Sequence, residues 1–318
     1  MKAYVPIFLI GSGLGAYLFF SNPWLVEDYH SDSYSWFVDF SRSIFQPQSA
    51  YYAESILLPL IGKLIGASRS ILLYKSLCAF LTISILPISG VLAQRYFQSF
   101  YKALAFVLLF GLSFQYLKFF ILGFPDPLTI VLLLAAIFQR KVSAVFCLII
   151  LALLSHFSMA AIGVVALIGL VYTSPALMRV SINKYCGVLL IALLTGKLIL
   201  LAWYGIFHYQ LQSRLNWALE KGYPFFYERY QGDIDGFWLT PGITFLILYG
   251  FILLYFLVRR QLLLVGTAIT ALAMAYAALF WTVDGLRVFA VTIAAPYGYL
   301  LMTFIQSVSA QIVERRNP

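Results

Sequence analysis

The stretch VSAVFCLIILALLSHFSMAAIGVVALIGLVY, residues 142–172, decides how this chain is threaded. It is apolar throughout except for Ser155-His156 near its middle. Read as one helix it crosses a bilayer once. Read as two short helices turning near His156 it crosses twice, and every later segment changes sides. The charges favour two crossings. Arg259-Arg260 then lies on the same side as Lys2, Arg95, Lys102, Arg140, Lys141, Arg179, Lys184, Arg315 and Arg316. Lys and Arg collect on the cytoplasmic side of membrane proteins, so that side is the cytoplasm.

Working outward, the same pattern covers the chain. It is 62% hydrophobic and only 10% charged, against about 25% charged residues in soluble domains, so it has too little polar surface to coat a globule. Apolar runs near the ~20 residues needed to span a bilayer recur, without the alternation of a β-barrel. The spacing predicts an all-α polytopic membrane protein of about ten transmembrane helices. These lie at about 3–20, 70–93, 103–122, 128–138, the two halves of 142–172, 185–207, 241–258, 261–281 and 287–306. Both termini are cytoplasmic, and residues 1–318 form one integral membrane domain. The outer loops are about 21–54 and 208–240. Residues 55–66, apolar but short, form a juxtamembrane helix at the end of the first loop.

Several function classes drop out. The net charge of +9 follows the orientation rule and does not signal nucleic acid. Cys78, Cys147 and Cys186 lie singly in apolar runs, with no metal or redox spacing. No P-loop, dinucleotide fingerprint or HExxH site occurs. The first run, followed by Ser-Asn-Pro-Trp, reads as a retained helix and not a cleaved signal.

The threading places every carboxylate except Glu314 on the outer face. Acids contribute little to orientation, so this sorting carries separate information. In the first loop Asp28, Asp32 and Asp39 lie among Tyr29, Tyr34, Trp36, Phe37 and Phe40. Such aromatics anchor helices at an interface or stack on sugar rings, and a neighbouring carboxylate can take a hydroxyl proton. Asp126 sits in the helix break Pro125-Asp126-Pro127, either as a helix cap or as a functional acid at membrane depth. His156 faces the same compartment. Asp284 and Arg287 flank the last span, as a surface pair or with Arg287 as a phosphate fork. Arg214, Lys221 and Arg229 are rival phosphate ligands. Lys197 lies near mid-membrane, either snorkelling or facing a cavity.

These residues resemble those of the GT-C polytopic membrane glycosyltransferases, and within them the EpsG-type exopolysaccharide or O-antigen polymerases. Asp28, Asp32, Tyr34, Phe37, Glu54, His156 and Ser158 match the acid-Tyr-aromatic first loop, the glutamate ahead of the next helix and the later His-Phe-Ser turn. An arginine expected near the Pro125 break is missing; Lys118 is the nearest cation. The resemblance implies transfer of sugar from a polyprenyl-phosphate or diphosphate donor to a glycan or lipid acceptor, in a bacterial inner (plasma) membrane. Asp28 or Asp32 would be the catalytic base. Arg287, Lys118, Arg214 and Arg229 would hold donor phosphate. Tyr34, Trp36, Glu54, Asp126, His156 and Asp284 would bind substrate. A divalent cation, Mg or Mn, on Asp32 and Asp126 is compatible with oxygen ligands. Two other classes fit the same composition: a transporter or flippase of a lipid-linked glycan, and a non-catalytic subunit of a polysaccharide complex.

Overall fold

Ser155 closes one helix and Phe157 opens the next. His156 between them is extended (φ −153°, ψ 90°), so the run 142–172 is two helices. The computed structural model describes residues 4–32, 35–113, 122–174, 182–282 and 285–316. In chain order the helices are α1 (Val5–Phe20), α2 (Pro23–His30), α3 (Trp36–Arg42), α4 (Leu57–Leu64), α5 (Ile71–Phe97), α6 (Phe100–Ser113), α7 (Asp126–Ile137) and α8 (Val142–Ser155). They continue with α9 (Phe157–Thr173), α10 (Ile182–Ile206), α11 (Arg214–Trp217), α12 (Tyr223–Tyr230), α13 (Ile234–Trp238), α14 (Ile243–Val258), α15 (Leu262–Ala277) and α16 (Gly285–Arg316). No strand occurs among the described residues.

Each of the ten apolar runs corresponds to a helix, but the lengths differ from the expected ten full crossings. Four are long and apolar enough to cross a membrane: α5, α10, α15 continued to Phe280, and α16. The pair α1–α2, bent by 75°, makes a fifth if it is one span. Helices α7, α8, α9 and α14 are shorter, as is the described part of α6, whose expected span 103–122 runs on into residues 114–121, outside the described residues. The 12 residues of α7 rise only about 18 Å, against a hydrocarbon core of ~30 Å. Counting apolar residues in the sequence does not separate a full span from a helix that stops partway. Irregular backbone at membrane depth is tolerated where protein covers it, and the break ahead of α7 is covered: Leu122, Phe124, Asp126 and Pro127 are all buried.

Helix α16 is the centre of the bundle. Its apolar window is 94% buried, whereas that of α10 is 28% buried and lies at the periphery. Lipid tails are as apolar as leucine, so helices in a membrane associate through close packing of small residues. Gly163 of α9 lies against α16 so closely that a Cβ there would be 2.8 Å from the Thr292 carbonyl oxygen. Helix α1 meets α5 in the same way. A Cβ at Gly11 would be 2.7 Å from Pro87 Cα, and one at Gly15 would be 2.6 Å from the Ile83 carbonyl oxygen. Gly13, between them, has open space beside it.

Gly15→Val is therefore expected to force α1 off α5 and cost about 1–3 kcal/mol, the usual cost of overpacking. Gly13→Val leaves stability unchanged. Thermal unfolding of the detergent-solubilised variants checks both.

Candidate functional site

A buried carboxylate organises one end of the bundle. Gly123, at φ 106°, takes a backbone conformation open mainly to glycine, and lets the chain turn sharply into Phe124-Pro125-Asp126. Asp126 then stands in the first turn of α7. Its Oδ2 accepts a hydrogen bond from Nη1 of Arg287, in the first turn of α16. His156 Nε2 lies 3.9 Å from Oδ1. The three side chains are 2%, 6% and 9% exposed, so this is a buried charged cluster. The Arg287 guanidinium also lies 3.8 Å above the Phe124 ring centroid, a cation–π contact that strengthens where water is excluded.

Neighbouring hydroxyls hold the two helix breaks together. Ser155 Oγ and Thr129 Oγ1 are 2.9 Å apart. They approach the Pro125 carbonyl oxygen at 3.3 and 3.1 Å. The polar turn between α8 and α9 is thus pinned to the turn that opens α7. Glu54 joins from the first loop, at the end of a 3-10 turn over Tyr51–Glu54. Ser158 donates to its Oε1 at 2.8 Å.

Above the cluster is a narrow cleft bordered by Glu54, Phe124, His156, Thr282 and Arg287. Tyr51 and Trp217 roof it and stack on each other, with ring centroids 4.4 Å apart. Trp217 comes from the second loop, where α11 runs into a π-helical turn at Ala218–Gly222. The space inside, about 20 Å³, takes roughly one water molecule, so the cleft is closed in this conformation. Tyr52, beside it, has its pKa raised by burial, then by the charge of Asp39; its hydroxyl stays protonated at neutral pH.

The first-loop acids expected to be catalytic are placed differently. Asp28 forms a buried ion pair with Lys75 at 3.1 Å, the two side chains 6% and 1% exposed. The backbone N–H of Leu122 donates to its other carboxylate oxygen. Lys75 also donates to the carbonyl oxygens of Asp28 at 2.6 Å and Ser31 at 3.0 Å. A carboxylate engaged on both oxygens, and not bordering the cleft, is suited to anchoring the Leu122–Asp126 turn. Asp32 is exposed after α2, and Asp39 pairs at the surface with Arg42.

Trp36, half exposed, stacks parallel to Tyr52 near the rim. Arg229 is exposed on α12, over the Tyr230 ring, and does not border the cleft. Lys197 is exposed on α10, its ammonium over Phe157. Tyr34, Lys118 and Asp284 lie outside the described residues, as does the side chain of Arg214. Among the described residues, no three His, Cys, Asp or Glu side chains gather as a metal-ion site. The expected cation ligand Asp126 faces an arginine and a histidine, surroundings that do not suit a second cation.

Asp126, His156, Arg287 and Glu54, all candidates from the sequence, therefore meet here. Lys75, Phe124 and Trp217 are not among those candidates. Lys75 carried a usable signal, since a lone cation inside an apolar run needs a nearby partner. Trp217 carried none, because its place depends on how the second loop folds back.

No protein-family model, no curated protein and no solved structure matches this chain. The class defined by fold and composition is that of an all-helical membrane protein with several helices able to cross a bilayer.

Removing one member of a buried ion pair leaves the other uncompensated and typically costs about 3–5 kcal/mol. Lys75→Met is expected to destabilise by that amount, and Lys75→Met/Asp28→Leu by clearly less. A double-mutant cycle on thermal unfolding in which the two changes add independently would rule out the anchoring role.

Proposed function

We propose that this protein is a membrane glycosyltransferase. It acts on a polyprenyl-linked sugar donor at the non-cytoplasmic face, in the assembly of a cell-surface glycan. The supporting observation is the cleft in which Glu54 and Arg287 share a pocket under an aromatic roof. Sugar transfer needs both groups: a base for the acceptor hydroxyl and a cation for the departing phosphate.

Glu54 serves as the base in place of Asp28 or Asp32, because it borders the cleft and they do not. It accepts the acceptor hydroxyl proton as that oxygen bonds to the anomeric carbon. The bond from that carbon to the phosphate oxygen breaks, and its electron pair leaves with the phosphate. Arg287 stabilises the charge developing there, held in place by Asp126 and Phe124. An arginine fork suits this task better than a lysine. His156 lies beside Asp126 and can orient the same group. Tyr51 and Trp217 supply ring faces for a sugar once their stack parts, and the second loop moves to admit it. No step is routed through a divalent cation. The ten-span topology, with both termini cytoplasmic, remains part of this proposal and sets the cleft on the outer face. A transporter would use broken helices and an intramembrane charge such as Lys197; the broken helices are present, but the Lys197 side chain lies on the exposed side of α10.

The test is transfer of labelled sugar from a polyprenyl-phosphate donor to acceptor glycan by the full chain in proteoliposomes. Glu54→Gln is expected to lower the rate about 10²–10⁴-fold, the usual contribution of general-base catalysis. Arg287→Lys lowers it by at least tenfold, while Asp32→Asn and Arg229→Gln remain near wild type. A Glu54→Gln protein that folds normally and transfers at the wild-type rate would overturn the assignment.

A further inference from the structure

A second recess opens beside the cleft, and it is far larger. It holds about 500 Å³ between α12, α13 and the end of α15. Its walls include Phe226, Tyr230, Phe237, Trp238, Tyr276 and Phe280. The hydroxyls of Tyr276 and Tyr230 are turned onto the protein. Tyr276 donates to the Trp238 carbonyl oxygen at 2.7 Å, and the Tyr230 hydroxyl lies 3.3 Å from Thr240 Oγ1. The recess therefore offers carbon and ring faces, with little for a polar ligand to bond. A hydrocarbon chain loses nothing there, whereas a peptide backbone would leave polar groups unsatisfied.

Its surroundings select the occupant. Tyr227, Ile234 and Trp238 on its border are more than half exposed. Aromatic residues of this kind collect at the membrane–water boundary. α15, which forms one wall, presents the exposed apolar side chains Leu262, Leu263 and Ile269, as a lipid-facing helix does. The recess and the cleft are neighbours along the chain. Phe280 borders the first and Thr282 the second. A Cβ at Gly285, one half-turn before Arg287, would be 3.5 Å from the Tyr230 hydroxyl.

We infer that this groove holds the hydrocarbon chain of an isoprenoid phosphate, with the phosphate directed toward Arg287. The choice of an isoprenoid and the placement of its head rest on the transfer reading above; the fit of a hydrocarbon chain to the groove does not. The order of parts is that of an amphiphile: an apolar trough, then a charged cleft.

The experiment uses the purified full chain in phosphatidylcholine nanodiscs. The probe is a polyisoprenyl phosphate carrying a diazirine in its chain, and labelled peptides are mapped by mass spectrometry. Ala273 and Ala277 border the groove and are exposed, so Ala277→Trp fills it without disturbing the core, and Ala273→Trp is a second variant. The expected result is labelling of α12, α13 and the end of α15, reduced at least tenfold by either tryptophan and competed by unlabelled polyisoprenyl phosphate. Labelling spread equally over α10 and α14 and insensitive to both variants would overturn the inference. So would equal competition by added phosphatidylcholine. If the groove labels as expected while no sugar transfer occurs, the chain site stands and the transferase reading fails. If transfer occurs while the probe labels elsewhere, the groove inference fails alone.

Discussion

The ion pair between Asp126 and Arg287 is the constraint on which this end of the molecule depends. Either charge alone, buried at the edge of a membrane bundle, would be strongly unfavourable. Together they are tolerable only if the opening turn of α7 and the first turn of α16 meet at one point. That requirement sets the relative height of two helices 161 positions apart in sequence. The break between α8 and α9 is drawn to the same place, because His156 approaches Asp126 and Ser155 approaches Pro125. Phe124 then completes the arrangement by lying under the guanidinium.

A second buried pair reinforces the first. Asp28 and Lys75 fasten α2 to α5, and through the Leu122 N–H they also hold the segment leading to Phe124 and Asp126. The two pairs stand at either end of five residues. The acidic first loop is thereby tied into the bundle, which brings the Tyr51–Glu54 turn over the cleft. Short helices are part of the same design. A helix that stops partway through the bundle, as α7 does, lets a charged side chain be held by protein and reached from a cleft.

In the transfer proposal, the closed cleft and the open groove divide recognition of the donor. The cleft, with its charges and little free space, would take the small reacting group once the Tyr51–Trp217 stack parts. The groove, apolar and open at its side, would take the flexible chain. Both are roofed or walled by the second loop, so movement of that loop affects them together.

The residue order by itself determined the helical class, the ten apolar runs and the turn at His156. These follow from hydropathy and from breakers such as Pro125, which act over a few residues. It also singled out Asp126, His156 and Arg287, because a polar residue within or beside an apolar run is conspicuous wherever it folds, whereas Glu54 was a candidate only through the resemblance. The role of Asp28 was not legible in this way. A carboxylate looks the same in sequence whether it faces solvent or a lysine 47 positions away. Only the tertiary structure decided that Asp28 pairs with Lys75 while Glu54 borders the cleft, that Trp217 lines it too, and that several apolar runs form helices shorter than a full span. Each of those outcomes depends on which helices become neighbours, and in a lipid solvent that is set by close packing at positions such as Gly15 and Gly163 and by the pairing of a few buried charges.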